Sequence, residues 1–133
     1  MNVLEPQSFP PVTAEMLKAY AAASGDSNPI HLDPEAARRA GLPGPIAHGM
    51  LVSAWLAERA ERFASREPGL EGMRIVEFTS RFRAMVLLGD VISIGGNSKE
   101  TPDGGVTVEL QARNQRGEVT TTGQAKFARS TSG

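Results

Sequence analysis

The sequence predicts an α+β fold in which an antiparallel sheet wraps around one long helix. Three observations carry that expectation. Between Ile46 and Ser65 apolar residues recur at helical spacing over a longer stretch than anywhere else in the chain. From Met73 onward the period changes from helical to alternating. The helical stretches all precede the alternating ones, and such segregation marks α+β rather than α/β.

Taken in order, residues 1 to 12 hold Pro6, Pro10 and Pro11 and read as an extended entry, an edge strand. Thr13 is placed to cap a helix, with Glu15 favourable in its first turn. Met16, Leu17, Tyr20 and Ala21 give that helix one apolar face, and Gly25 stops it. The following run, SGDSNP, cannot continue a helix. Gly25 frees the backbone, while Pro29 removes a donor and pushes Asn28 towards extended geometry. Asp33-Pro34 starts a second, short helix that ends at Gly41, and Leu42 to Pro45 form a turn.

The long helix is expected to begin near Ile46 to His48 and to run to about Ser65. Leu51, Val52, Trp55, Leu56, Ala60 and Phe63 share one face; Glu58, Arg59, Glu61 and Arg62 are assigned to the other. Pro68 to Gly72 ends it. In the next strand Val76, Phe78, Ser80 and Phe82 alternate with Glu77, Thr79, Arg81 and Arg83. After a turn at Gly89-Asp90 a strand starts at Val91, with Gly95-Gly96 expected to form a bulge or bend. Pro102 to Gly105 and Asn114 to Gly117 are hairpin turns. Between and after them Val106, Val108, Leu110 and Ala112, then Val119, Thr121, Gly123, Ala125 and Phe127, each face one way. Residues 129 to 133 are expected to fray. A sheet wrapped around one long helix is the hot-dog arrangement. Its open edges and partly enclosed helix predict pairing with a second copy.

The chain has 133 residues, which suits one domain spanning 1–133 with one sizeable core. There are no cysteines, so disulfides, thiolate catalysis and thiolate metal sites are excluded. Formal net charge is −1, and with one Trp and one Tyr neither a nucleic-acid field nor a stacking platform is present. No apolar run reaches the roughly 20 residues that span a bilayer, and no export leader opens the sequence. The expectation is a cytoplasmic protein without nucleic-acid or membrane partners.

Candidate chemistry gathers between Tyr20 and Met50. That stretch holds both histidines of the chain, His31 and His48, together with Asp26 and Asn28. Asp26 and His31, five residues apart across a proline, can share a water, one accepting its proton and the other orienting or returning it. Equally, Asp26 can cap a turn while His31 sits at the surface. Asn28 before Pro29 is suited to fixing the loop through its side-chain amide. Gly49 falls in the first turn of the long helix, where amides lack intrahelical partners and can hold a developing oxyanion. Close helix–sheet packing also calls for glycine there. His48 could join Asp26, His31 and Asp33 around a metal, but the spacing matches no common site and no HExxH motif is present. The expectation is no metal. Arg38, Arg39, Arg59, Arg62 and Arg66 read as solvated helix residues.

The segment SGDSNPIHLDPEAA followed by GPIAHGML resembles the hydratase-2 signature of the MaoC-like dehydratases, the (R)-specific enoyl-thioester hydratases. FRAMVLLGDVI is similar to that family's later strand–turn segment ending in Gly-Asp. The resemblance implies a hot-dog fold, a dimer, and reversible hydration of trans-2-enoyl thioesters of CoA or acyl carrier protein to (R)-3-hydroxyacyl thioesters. It implies that Asp26 and His31 are catalytic, that the Gly49 amide forms the oxyanion hole, and that Asn28 is the motif asparagine. No metal or redox cofactor is implied. The sequence departs from the family at Ala84-Met85, where many members have a basic residue and a proline, and at Ala57, where some have a pocket serine. A non-catalytic subunit of a heteromeric dehydratase is a second reading, and a thioester hydrolase on the same fold is a third.

Overall fold

The computed structural model of the chain describes residues 2–129. Its elements are β1 (Asn2–Ser8), α1 (Ala14–Ser24), a 3-10 turn (Pro29–His31), α2 (Pro34–Arg39), α3 (Gly49–Arg66), β2 (Met73–Phe82), β3 (Ser93–Glu100), β4 (Val106–Arg113) and β5 (Val119–Arg129). The five strands form one sheet in the order β1-β3-β4-β5-β2, with antiparallel neighbours throughout. This is the hot-dog fold, and β1 and β2 are its edges.

Capping follows the local chemistry of the sequence. The Thr13 hydroxyl accepts from the Met16 amide at 3.1 Å, and Gly25 ends α1 in the left-handed region at φ 80°. Asp33 accepts from the Glu35 amide at 2.9 Å, and Pro34 takes the first position of α2. Leu51, Val52, Leu56, Ala60 and Phe63 of α3 join Ile94, Val108, Leu110, Ala125 and Phe127 of the sheet in one buried cluster. Leu56 lies at its centre and is fully buried; truncating such a leucine to alanine costs about 2–5 kcal/mol. No helix among the described residues is long and apolar enough to cross a membrane.

Five expectations are corrected. α3 starts at Gly49, because Ile46 instead pairs with Leu87 in an isolated bridge. Gly95 and Gly96 pair regularly with Gln111 and Leu110; the irregularity lies opposite, on β1 between Leu4 and Gln7. Pro6 has no donor for the ladder, so β1 leaves register there and lies close on β3. A Cβ on Gly95 would stand 2.8 Å from the Leu4 carbonyl oxygen, so the glycine serves close approach rather than a bend. On β2 a register shift between Ile75 and Glu77 turns Ile75 inward and leaves Val76 exposed, whereas Phe78 and Ser80 keep the expected inward face and Phe82, at the strand's end, is exposed. Arg59 is 4% exposed and does not belong to the solvated face. Its guanidinium donates to the main-chain carbonyls of Glu5 at 2.8 Å and Ile94 at 3.3 Å. Burial pushes its pKa down, helped by Arg62 and Arg66. Strand β5 continues through Arg129, which donates to the Glu71 and Gly69 carbonyls; the rest of the tail expected to fray, 130–133, lies outside the described residues.

Candidate active site

The loop after α1 is held by its own side chains. Ser24 Oγ accepts from the Asp26 amide at 3.2 Å, Asp26 Oδ1 from the Asn28 amide at 3.3 Å, and Asn28 Oδ1 from the Ile30 amide at 3.2 Å. Asn28 thus has the loop-fixing place read from the sequence, as cap of the 3-10 turn. The turn ends at His31 and drives its ring inward, to 8% exposure, which rules out a surface histidine.

His31 Nδ1 lies 2.7 Å from the Ile46 carbonyl oxygen. A carbonyl only accepts, so Nδ1 carries the hydrogen, and in the neutral ring Nε2 presents a bare lone pair. That Nε2 is 3.9 Å from Asp26 Oδ2, whose side chain is 55% exposed. The pair does not hydrogen-bond directly. An oxygen placed about 2.8 Å from both would complete a triangle over the 3.9 Å base, so one water can touch acid and imidazole together.

A strap from Pro45 to His48 delivers the start of α3 to the same place. Ile46 donates to Ile30 at 3.2 Å, Ala47 to Val86 at 2.7 Å, and Pro45 accepts from Leu88 at 3.0 Å. The opposing segment is braced by buried Asp90, which accepts from the Leu87 amide at 2.9 Å and from Gln115 Nε2 at 3.0 Å. The Gly-Asp turn was legible in the sequence; its bracing of the strap was not. Gly49 takes the first position of α3, and among the described residues its amide has no acceptor. A Cβ there would also stand 2.8 Å from the Phe82 ring. Free amide and tight packing therefore coexist at Gly49. His31 and Gly49 line one cleft of about 370 Å³ with Val52, Phe82, Met85 and Val86. Asp26 stands outside that lining, and so does Ala57.

His48, weighed in the sequence only as a metal ligand, is 2% exposed and stacks on His31 with ring centroids 3.8 Å apart and planes 22° apart. Ligand atoms of Asp26, His31 and His48 lie within 4.8 Å of one another. The stack nevertheless opposes a shared metal. Lone pairs lie in the ring planes, and planes so nearly parallel at this spacing meet far beyond the ~2 Å of a metal–nitrogen bond. Among the helix arginines, Arg38 pairs with Glu35 and Arg62 with Glu58 at the surface.

Residues 3–121 match the MaoC like domain. A fatty acid synthase 2 of Mycosarcoma maydis is 36% identical over 86% of this chain, which spans 3% of that protein's length. A mitochondrial 3-hydroxyacyl-[acyl-carrier-protein] dehydratase of Arabidopsis thaliana is 41% identical over 60% of the chain and 45% of its own length. Among solved structures, an (R)-hydratase from A. caviae involved in PHA biosynthesis aligns over 98% of both chains with a TM-score of 0.78 and 26% identity.

Proposed function

The chain belongs to the MaoC-like domain family, and on that footing we propose that it is a hydro-lyase interconverting trans-2-enoyl and (R)-3-hydroxyacyl thioesters. The observation that carries this reading is a single one. A bare imidazole nitrogen and a carboxylate oxygen stand 3.9 Å apart beside a cleft that also holds an unpaired helix-start amide. Hydration of an enoyl thioester needs each of these. Water must lose a proton as its oxygen bonds to C3, C2 must gain a proton, and the thioester oxygen carries charge between the two events.

In this reading Asp26 orients the water, and His31 Nε2 takes its proton and returns it to C2. The hydroxyl adds to C3, so the atoms of one water are fully accounted for. The Gly49 amide, at the positive end of α3, holds the thioester oxygen as charge develops there. The acyl chain runs into the cleft past Val52, Met85 and Val86. General acid–base help is worth about 10²–10⁴ in rate and one oxyanion donor about 10²–10³. Asn28 keeps Asp26 and His31 in register through the turn it caps.

The domain is taken to act as a dimer. Met50 is 61% and Phe82 58% exposed beside the cleft, and β2 is an open sheet edge; a second copy of the chain covers all three. The test is an assay of purified protein with crotonyl-CoA. Loss of enoyl absorbance without release of free thiol is the expected result. Release of thiol would make the protein a hydrolase, and no change on either CoA or carrier-protein substrates would refute the reading.

A further inference from the structure

His48 has no part in the chemistry above, yet it adjoins every residue that does. Its Nε2 lies 2.9 Å from the main-chain carbonyl oxygen of Asp26, so Nε2 carries the hydrogen and donates it. Its ring stacks on His31 and packs against Tyr20, with centroids 4.8 Å apart. Its own peptide leads directly into Gly49. We propose that His48 is a positioning residue that locks the acid–base loop to the oxyanion end of α3. The inference rests on the reading that Asp26, His31 and Gly49 do the chemistry.

Packing alone does not account for a histidine here. Nδ1 of His48 is buried with no hydrogen-bond partner among the described residues, a cost that Phe or Leu would avoid. What the imidazole adds is the Nε2–H, and that hydrogen fixes the backbone of Asp26 rather than its carboxylate. The carboxylate is left free for water, while its Cα is held at a set distance from α3. The stacked face fixes the tilt of the His31 ring about its bond to the Ile46 carbonyl. Three catalytic parts from two elements are thereby referenced to one side chain. Reactions of this kind lose about 10²-fold for a misplacement near 1 Å.

Two measurements test it. The chain has only two histidines, so nitrogen NMR of the uniformly labelled protein, with His31→Asn for assignment, reads both tautomers. His31 is expected as Nδ1–H and His48 as Nε2–H; a His48 carrying its hydrogen on Nδ1 cannot make the bond to Asp26 and overturns the proposal. Steady-state kinetics then compare His48→Phe, which keeps the ring and loses the donor, with His48→Gln, which keeps an N–H donor of similar reach. The phenylalanine variant should lose roughly 10–10² in kcat with KM held, and the glutamine variant should recover part of it. Wild-type kcat in a folded His48→Phe, or equal losses in both variants that merely track thermal stability, would assign His48 to packing. If either variant fails to fold, the tautomers still decide. Wild-type protein that hydrates no enoyl thioester would sink the functional reading instead, and the two failures are thus separable.

Discussion

Replacing Gly49 with proline removes one donor of the proposed mechanism, the amide hydrogen at the start of α3. The structure indicates that the backbone will accept it. The first amide of a helix makes no intrahelical bond, so no helix hydrogen bond is lost, and proline is favoured at that position. His48, which would precede the proline, already sits at φ −63° and ψ 132°, inside the range a following proline permits. Gly49 is not among the glycines with positive φ. The steric changes are the new Cβ, 2.8 Å from the tip of the Phe82 ring, and the rest of the pyrrolidine ring, whose Cδ takes the place of the amide hydrogen. Gly49→Ala introduces the same carbon against Phe82 while keeping the amide, so it controls for that contact. The two variants therefore differ in the donor and in the ring carbon that replaces it, so Gly49→Pro should fall below Gly49→Ala by at least the worth of the donor, about 10²–10³ in kcat, or about 2.7–4 kcal/mol of transition-state stabilisation. Turnover is followed by enoyl absorbance, with circular dichroism to confirm the fold. A folded Gly49→Pro protein that turns over as fast as Gly49→Ala would remove the oxyanion hole from the mechanism.

Asp26→Asn and His31→Asn should each lower kcat by about 10² or more in protein that melts like wild type; near-full activity in either would break the pair. Arg59→Met should leave kcat unchanged but cost about 1–3 kcal/mol, because the Glu5 carbonyl, and in part that of Ile94, lose a buried donor; a thermal melt coincident with wild type would contradict this. Light scattering should give at least twice the 14.1 kDa chain mass, and a single-chain mass at working concentration would count against the covered β2 edge.

Fold and period were legible because they are local. The alternation of Val106, Val108, Leu110 and Ala112 is a property of the chain itself, and all four side chains are buried. The errors arose where a neighbour decides. Gly95-Gly96 reads as a bend, yet Gly95 is there for the close approach of Leu4 and Pro6 on β1 and Gly96 for that of the Glu109 carbonyl on β4. Arg59 reads as surface because it is charged and flanked by charges. Its burial depends on two carbonyls, one left reachable where β1 breaks register. The phase of β2 holds at Phe78 and Ser80 but fails at Val76 for the same reason: one extra residue there turns Ile75 inward instead, and no composition signal marks it.

The site divides along the same line. Asp26, Asn28 and His31 lie within six residues, and the loop that joins them is closed by its own side chains, so its chemistry could be read from one stretch. His48 is 17 positions beyond His31, and none of its contacts has a spacing rule: two are with ring faces and one is with a main-chain oxygen. Only its place gave a signal, as the residue immediately before the amide at the head of α3. That placement follows from how the parts must move together. The carboxylate and the His31 ring belong to the loop between α1 and α2, whereas the amide is fixed to a buried helix. Hydration needs all three at set distances at the same instant. A tie between the two bodies must therefore start on the helix, end on the loop backbone, and leave every reacting atom unoccupied, and the Nε2–H of His48 on the Asp26 carbonyl meets all three conditions.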